Sequence, residues 1–244
     1  MRLLVSVRAG EEVAAALAGG ADIIDAKEPA RGSLGPVSPN VLLAIAARVP
    51  DPIALSVALG DFAARDDVQH AVAGAEVPGR RAPTYLKLGF AGERSEATVT
   101  SLIAAAMDAA AATPVQAIVV PVAYADHEGA GSPAPEAVLR AAMAAGARAF
   151  LVDTYTKDGR GLLHRIAFER LRTLSAEARS AGLLLAMAGS LDLATLDHIA
   201  EVADVIGVRG AACRGGREGS VEATLVRRLR DRLPGGRPLL STAG

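Results

Sequence analysis

Lys27, Lys87 and Lys157 are the only lysines in a chain of 244 residues with 26 basic side chains, and arginine supplies the rest. The distinction is chemical. Arginine stays protonated at every physiological pH, whereas lysine can shed its proton and become a nucleophilic amine or a base. This chain uses arginine where positive charge alone is needed, so a retained lysine points to amine chemistry. An unperturbed lysine is neutral only about one time in two thousand at pH 7, and a nearby cation that lowers its pKa by ~2 units raises that population about a hundredfold. Lysines gathered together would supply that cation to one another. The expected chemistry is a Schiff base with a carbonyl substrate. Asp25 and Asp153 would hold the unreactive amines charged and move protons.

Convergence of residues so far apart in sequence demands a fold that brings them to one end. Short apolar runs near 3–7, 22–27, 53–59, 84–89, 116–123, 149–154, 183–188 and 204–209 read as strands. Between them, stretches near 11–18, 39–48, 62–74, 97–112, 135–145, 163–180, 192–200 and 219–232 repeat apolar residues at three- and four-residue spacing, which predicts helices. Eight βα units in about 230 residues fit a single-domain α/β structure, a closed (β/α)₈ TIM barrel of parallel strands over residues 1–233, better than an open doubly wound sheet. The segment 234–244 ("PGGRPLLSTAG" from about 234 on) has too few periodic apolar positions for another element and reads as a mobile tail.

In that frame each lysine falls at or just past the carboxyl end of a strand, the second, fourth and sixth, on the face where barrels assemble their active sites. Strand alternation places Asp25 with Lys27 on one face, and likewise Tyr85 with Lys87. The loops after the seventh and eighth strands, "AMAGSLDLATL" and "IGVRGAACRGG", are where barrels commonly hold phosphate. Gly189, Ser190, Arg209, Gly210 and Ala211 are the candidate anion ligands, because glycine allows close backbone approach and N–H groups near a helix start face an anion. Ser33, in the loop after Lys27, is placed to reach a substrate. Tyr124 and Asp126 end the fifth strand at the same mouth, with His127 beside them and Arg94 in the loop after the fourth, and all four carry less weight; Cys213 reads as a small buried apolar residue.

Composition bounds the partners. A formal net charge of −1 with dispersed arginines gives no basic patch for nucleic acid or an anionic membrane. No apolar run reaches the length of a membrane span, and the N-terminus turns polar too soon for a signal peptide, which predicts a cytosolic protein acting on a small molecule. A single cysteine and four histidines without ligand spacing offer no recognisable metal site. No metal and no redox cofactor is expected. The Ala-rich helices suit close packing within one chain or between copies, so a homo-oligomer is compatible with the sequence.

The blocks "GGADIIDAKEP…GSLG", "YLKLG", "LVDTYTKDG", "LLLAMAGSL" and "VIGVRGAAC" together resemble the (5-formylfuran-3-yl)methyl phosphate synthases, over roughly residues 3 to 230. The resemblance implies condensation of two glyceraldehyde 3-phosphate molecules into a furan precursor of methanofuran-type carriers, with loss of one phosphate and two waters. It implies Lys27 as the Schiff-base lysine and Lys87 as a proton acceptor, with Asp25, Asp153 and Lys157 at polar active-site positions. "DAKEP" stands where some relatives carry a valine and an asparagine around the lysine, and "DTYTKDG" has a tyrosine in place of a smaller residue. Neither departure removes an ionisable group. The residues themselves leave two alternatives open: another Schiff-base aldolase or isomerase of sugar phosphates, and a phosphate-ligand-binding barrel without turnover.

Overall fold

The alternation of strand and helix closes on itself. The computed structural model describes residues 1–113 and 117–234. Eight parallel strands, β1 (Arg2–Val7), β2 (Ile23–Ala26), β3 (Ala54–Asp61), β4 (Thr84–Gly89), β5 (Ala117–Tyr124), β6 (Ala149–Asp153), β7 (Leu184–Met187) and β8 (Val205–Val208), form a barrel in sequence order. Pairing of β1 with β8 shuts it, with Arg2 opposite Val205 and Val5 opposite Val208. Residue 116, the first of the fifth expected strand, and residues 235–244 of the expected tail lie outside the described residues.

Period-two alternation sorts the strand residues into two cores. Leu3, Val5, Val7, Leu55, Val57, Leu86, Leu88, Phe150 and Val152 point outward and pack beneath the helices. Ile23, Ala54, Ala58, Tyr85, Val120, Val122, Ala149, Leu151 and Val205 point inward and form a separate cluster. Barrel interiors are ordinarily filled by bulky branched residues. Here Ser6, Ala54, Ser56, Ala58, Ala149 and Ala186 occupy inward positions, and the interior keeps a cavity of about 390 Å³.

The helices are α1 (Glu11–Ala18), α2 (Pro39–Ala46), α3 (Arg65–Gly74), α4 (Glu96–Ala111), α5 (His127–Ala130), α6 (Pro135–Ala144), α7 (Phe168–Ser180), α8 (Leu196–Val202) and α9 (Ala223–Arg232). Ser38 and Ser95 cap α2 and α4, their hydroxyls accepting from the backbone N–H of Val41 and Thr98. Four helices, α3, α7, α8 and α9, start three to five residues later than their apolar spacing predicts, and in two of them other structure takes the first residues. The segment before α7 first makes a short 3₁₀ turn at Leu162–His164. The first residues of the expected helix 219–232 instead close an antiparallel ribbon, β9 (Cys213–Arg214) with β10 (Ser220–Val221). Gly215 and Gly216, both at positive φ, turn the chain back before a helix can begin. None of the described helices is long and apolar enough to cross a membrane.

Candidate active site

All three lysines line the same cavity, together with Asp25 and Asp153. Ile23 and Asp25 on β2 and Lys27 just past it share the inward phase, and β4 carries Tyr85 and Lys87 in the same phase, so pleat geometry aims four polar side chains into the barrel interior. Lys87 reaches across β3 to Asp25, its Nζ lying 2.7 Å from Oδ1. The crossing is open because β3 presents Ser56 and Ala58 beside Asp25 and Lys87 in the strand register. The ammonium meets Oδ1 as a charge rather than along a well-aligned hydrogen bond, whereas Oδ2 accepts from Ser6 Oγ at 2.7 Å. Burial raises the Asp25 carboxyl, but the positive charges of Lys87 and Lys27 and the hydrogen bonds prevail and hold it below its usual value.

The second carboxylate anchors the third lysine. Lys157 Nζ donates to Asp153 Oδ1 at 2.8 Å and to Thr154 Oγ1 at 3.1 Å. Although Asp153 is buried, which raises its pKa, Lys157, Lys27 and the Thr154 N–H bring it down to about 2. Asp126 positions this loop by accepting from the N–H groups of Tyr155 and Thr156, at 2.6 and 2.9 Å. The chain leaves β6 after Asp153 and bends at Tyr155, so the Asp153–Lys157 pair forms across four residues of loop rather than along an extended strand.

Lys27 makes no ion pair within reach among the described residues, yet it is only 6% exposed. Its pKa falls from 10.5 to about 7, first because burial penalises the charged form; the cations Lys87 and Lys157 push the same way, against Asp153 and Asp25. About half of the Lys27 side chains are then neutral at pH 7, in a cavity where the other two amines are each bound to a carboxylate. The arrangement can present one nucleophilic amine, two ammonium groups and two ionised carboxylates to a carbonyl compound.

The expected anion ligands divide. Gly189, Ser190, Gly210 and Ala211 line the mouth. Gly189 has φ +109°, and a Cβ there would lie 2.8 Å from Thr154 Cγ2, so no other residue fits without displacing the Lys157 loop. Arg209 departs from expectation. Its guanidinium donates to both Glu12 oxygens at 2.5 and 3.0 Å and to the carbonyls of Ser6, Arg217 and Gly219. All five donors are committed, leaving none for a phosphate. Ser33 is likewise turned away: its hydroxyl sits 2.8 Å from Thr154 O and 3.2 Å from Asp153 Oδ2, outside the cavity lining, where it steadies the carboxylate.

Arg217, by contrast, keeps donors without a partner among the described residues. It lines the cavity, and its Nη2 donates to the carbonyls of Pro29 and Gly32 at 3.1 and 2.6 Å, while Nε and Nη1 have no partner among the described residues. The sequence conceals it because the β9–β10 ribbon, which brings it over the mouth, overlaps a stretch whose spacing predicts helix. Ser6, Ser56 and Tyr85 were also missed as site residues, although their strand phase was visible. Of the rim candidates, Tyr124 is buried and donates to Asp61 Oδ1 at 2.7 Å, and Cys213 is buried with its thiol pKa raised by desolvation. Neither lines the cavity.

Comparison with known proteins places this geometry. Solved structures of phosphoribosylanthranilate isomerase from Thermotoga maritima and thiamine phosphate pyrophosphorylase from Pyrococcus furiosus are similar in fold, each with a TM-score of 0.57, at 13% and 16% identity. They cover 95% of this chain, which in turn covers 97% and 94% of theirs. Sequence similarity runs far higher to three proteins named (5-formylfuran-3-yl)methyl phosphate synthase. That of Methanothermobacter thermautotrophicus is 36% identical, covering 96% of this chain and 99% of the relative. Those of Methanocaldococcus jannaschii and Methanopyrus kandleri are 35% and 36% identical, each covering 95% of this chain and 99% and 98% of the relative. The family model for 4-HFC-P synthase matches residues 3–230. With both alignments running nearly end to end, the chain belongs to the 4-HFC-P synthase family of enzymes.

Proposed function

We propose that this enzyme condenses two molecules of glyceraldehyde 3-phosphate into (5-formylfuran-3-yl)methyl phosphate, releasing one phosphate and two waters. The observation that carries the reading is a buried lysine with no ion pair among the described residues, Lys27, enclosed with two carboxylate-bound lysines in one cavity. Two trioses bring six carbons and two phosphates; the product keeps every carbon and one phosphate, so atoms balance without an oxidant or reductant.

Neutral Lys27 attacks a carbonyl and loses water to form an iminium, which acidifies the neighbouring C–H and makes carbon–carbon bond formation and β-elimination accessible. Lys87 hands a proton to its ion-pair partner Asp25, and the amine so freed accepts one from the substrate and later returns it. Asp153 and Lys157 act on the oxygens that depart as water and phosphate. The retained phosphate is held by the Gly189–Ser190 and Gly210–Ala211 backbone with Arg217, while Arg209 and Ser33 support the wall from behind. The protein needs only a small-molecule triose phosphate as partner and no cofactor.

The test is to incubate purified protein with glyceraldehyde 3-phosphate, following furan absorbance and free phosphate, and to trap the adduct with borohydride. The expected result is one phosphate per furan and a reduced adduct on Lys27. An adduct without a furan chromophore would reassign the chain to another Schiff-base reaction of sugar phosphates, and no adduct on Lys27 would reject the amine assignment.

A further inference from the structure

The cavity does not stop at the lysines. It continues toward the amino ends of the strands, where Leu4, Ile23, Val120 and Leu184 make an apolar wall and Ala149 and Ala186 leave room. Every cation that lines the cavity stands further along the chain than these wall residues of its own βα unit: Lys27 follows β2, Lys87 lies two residues past Tyr85, and Lys157, Arg209 and Arg217 lie beyond the ends of β6 and β8. Arg2 and Arg148, whose charges reach the Tyr85 phenol, are not in the lining. A phosphate would therefore touch no cation along this wall, and the Asp25 carboxylate, the register neighbour of Ser56, would repel it, so an uncharged group is favoured there.

Two polar atoms interrupt this wall. Ser56 Oγ and Tyr85 OH are both buried, on residues 0% and 4% exposed, and neither has a hydrogen-bond partner among the described residues. The two are register neighbours on β3 and β4, one pleat inward from Ala58 and Lys87. Buried hydroxyls are normally satisfied, and leaving one without a partner is costly. A neighbouring serine shows the contrast: Ser6 on β1 is tied to Asp25. An apolar pocket with a few convergent polar groups is the usual form of a small-molecule site.

We propose that this inner chamber is a binding subsite for the uncharged, carbonyl-bearing part of the reacting skeleton, which ends as the furan ring and its formyl group, with Ser56 and Tyr85 donating hydrogen bonds to its oxygens. The inference deepens the synthase reading and rests on it. It explains why the interior positions are small: a flat ring needs the space that branched side chains fill in other barrels. It also favours each dehydrated species over its precursor while bound, since each dehydration makes the skeleton flatter and less polar and so better suited to the chamber, while the retained phosphate stays at the mouth.

Furan-2-carboxamide is the probe. It keeps the planar ring and carbonyl oxygen but cannot form a Schiff base, so its binding, read by calorimetry on the full chain, reports the chamber alone. The expected result is measurable affinity that falls at least fivefold in Tyr85→Phe and in Ser56→Ala and is retained in Ser56→Thr, with glycerol 3-phosphate affinity changed less than twofold in all three. No binding to the unsubstituted protein, or equal affinity in the variants, would overturn the proposal. Should a hydroxyl variant fail to fold, Ala186→Leu fills the chamber and leaves both hydroxyls in place; it should abolish carboxamide binding, and unchanged binding would refute the site. The two readings fail separately. A protein that makes the furan phosphate but binds carboxamide independently of Ser56 and Tyr85 retains its activity assignment and loses the chamber. One that binds carboxamide through both hydroxyls yet makes no furan retains the chamber and loses the activity.

Discussion

Replacing Lys87 with methionine tests the electrostatics of the site at its source. Lys87 acts on Lys27 as a like charge and lowers its pKa, so removing it must raise the midpoint above about 7. The sign survives the obvious complication. Without its ion pair, Asp25 is a fully buried carboxyl that burial drives toward the neutral form, and its favourable pull on Lys27 would then be lost as well. The influence of Lys87 on Lys27 exceeds that of Asp25, so the net movement is still upward. A neighbouring charge at such range shifts a pKa by on the order of one unit, which cuts the neutral fraction at pH 7 from about one half to about one tenth. Asp153→Asn carries the opposite sign, because Asp153 is the largest influence keeping Lys27 protonated. The assay is borohydride trapping of a triose phosphate on Lys27, quantified by peptide mass spectrometry from about pH 5.5 to 9.5. The midpoint, rather than the plateau, is the readout, since Lys87 also serves proton transfer. The initial trapping rate should climb about tenfold per pH unit below the midpoint and flatten above it, with the order of midpoints Asp153→Asn, then unsubstituted protein, then Lys87→Met. Equal midpoints, or the reverse order, would refute the argument that this cluster tunes the nucleophile.

Three further outcomes are expected. A lysine whose pKa is depressed from 10.5 in the unfolded chain to about 7 in the fold binds more protons unfolded than folded between those values, so stability rises with pH across that window and is lost again as pH falls through about 7. Urea unfolding of the unsubstituted protein and of Lys27→Met should therefore diverge in favour of the former by about 1.4 kcal/mol per pH unit between about pH 8 and 9.5; parallel curves would remove the pKa depression. Arg209→Met leaves Glu12 buried without its partner and should cost about 3–5 kcal/mol in urea unfolding. Much of that loss should return in Arg209→Met with Glu12→Leu, whereas a mild stability effect with lost phosphate affinity would restore Arg209 as an anion ligand. Arg217→Ala should weaken glycerol 3-phosphate binding about tenfold and raise KM for the triose phosphate while thermal stability is little changed; unaltered binding would take Arg217 out of the phosphate site.

Much of this molecule follows from local pattern. Period-two alternation and helical spacing are properties of neighbouring residues, so eight strands, their order and the inward phase of Asp25, Lys27 and Lys87 were legible in the chain itself. The scarcity of lysine marked three positions for amine chemistry, and the barrel brought all three to one cavity. What no local pattern carries is partnership. Arg209 looked like a phosphate ligand because it follows β8 beside glycines, but Glu12, nearly two hundred residues earlier, takes two of its donors. Ser33 faces a carboxylate rather than the cavity because its loop folds back on Thr154. Arg217 reaches the mouth through a ribbon whose pairing depends on Gly215 and Gly216 turning the chain, and Ser56 and Tyr85 are notable only for partners they lack. The sequence by itself determined which groups face inward and which amines exist; the tertiary structure alone decided which of them are neutralised, since burial and charge depend on distances between strands that only closure of the barrel sets.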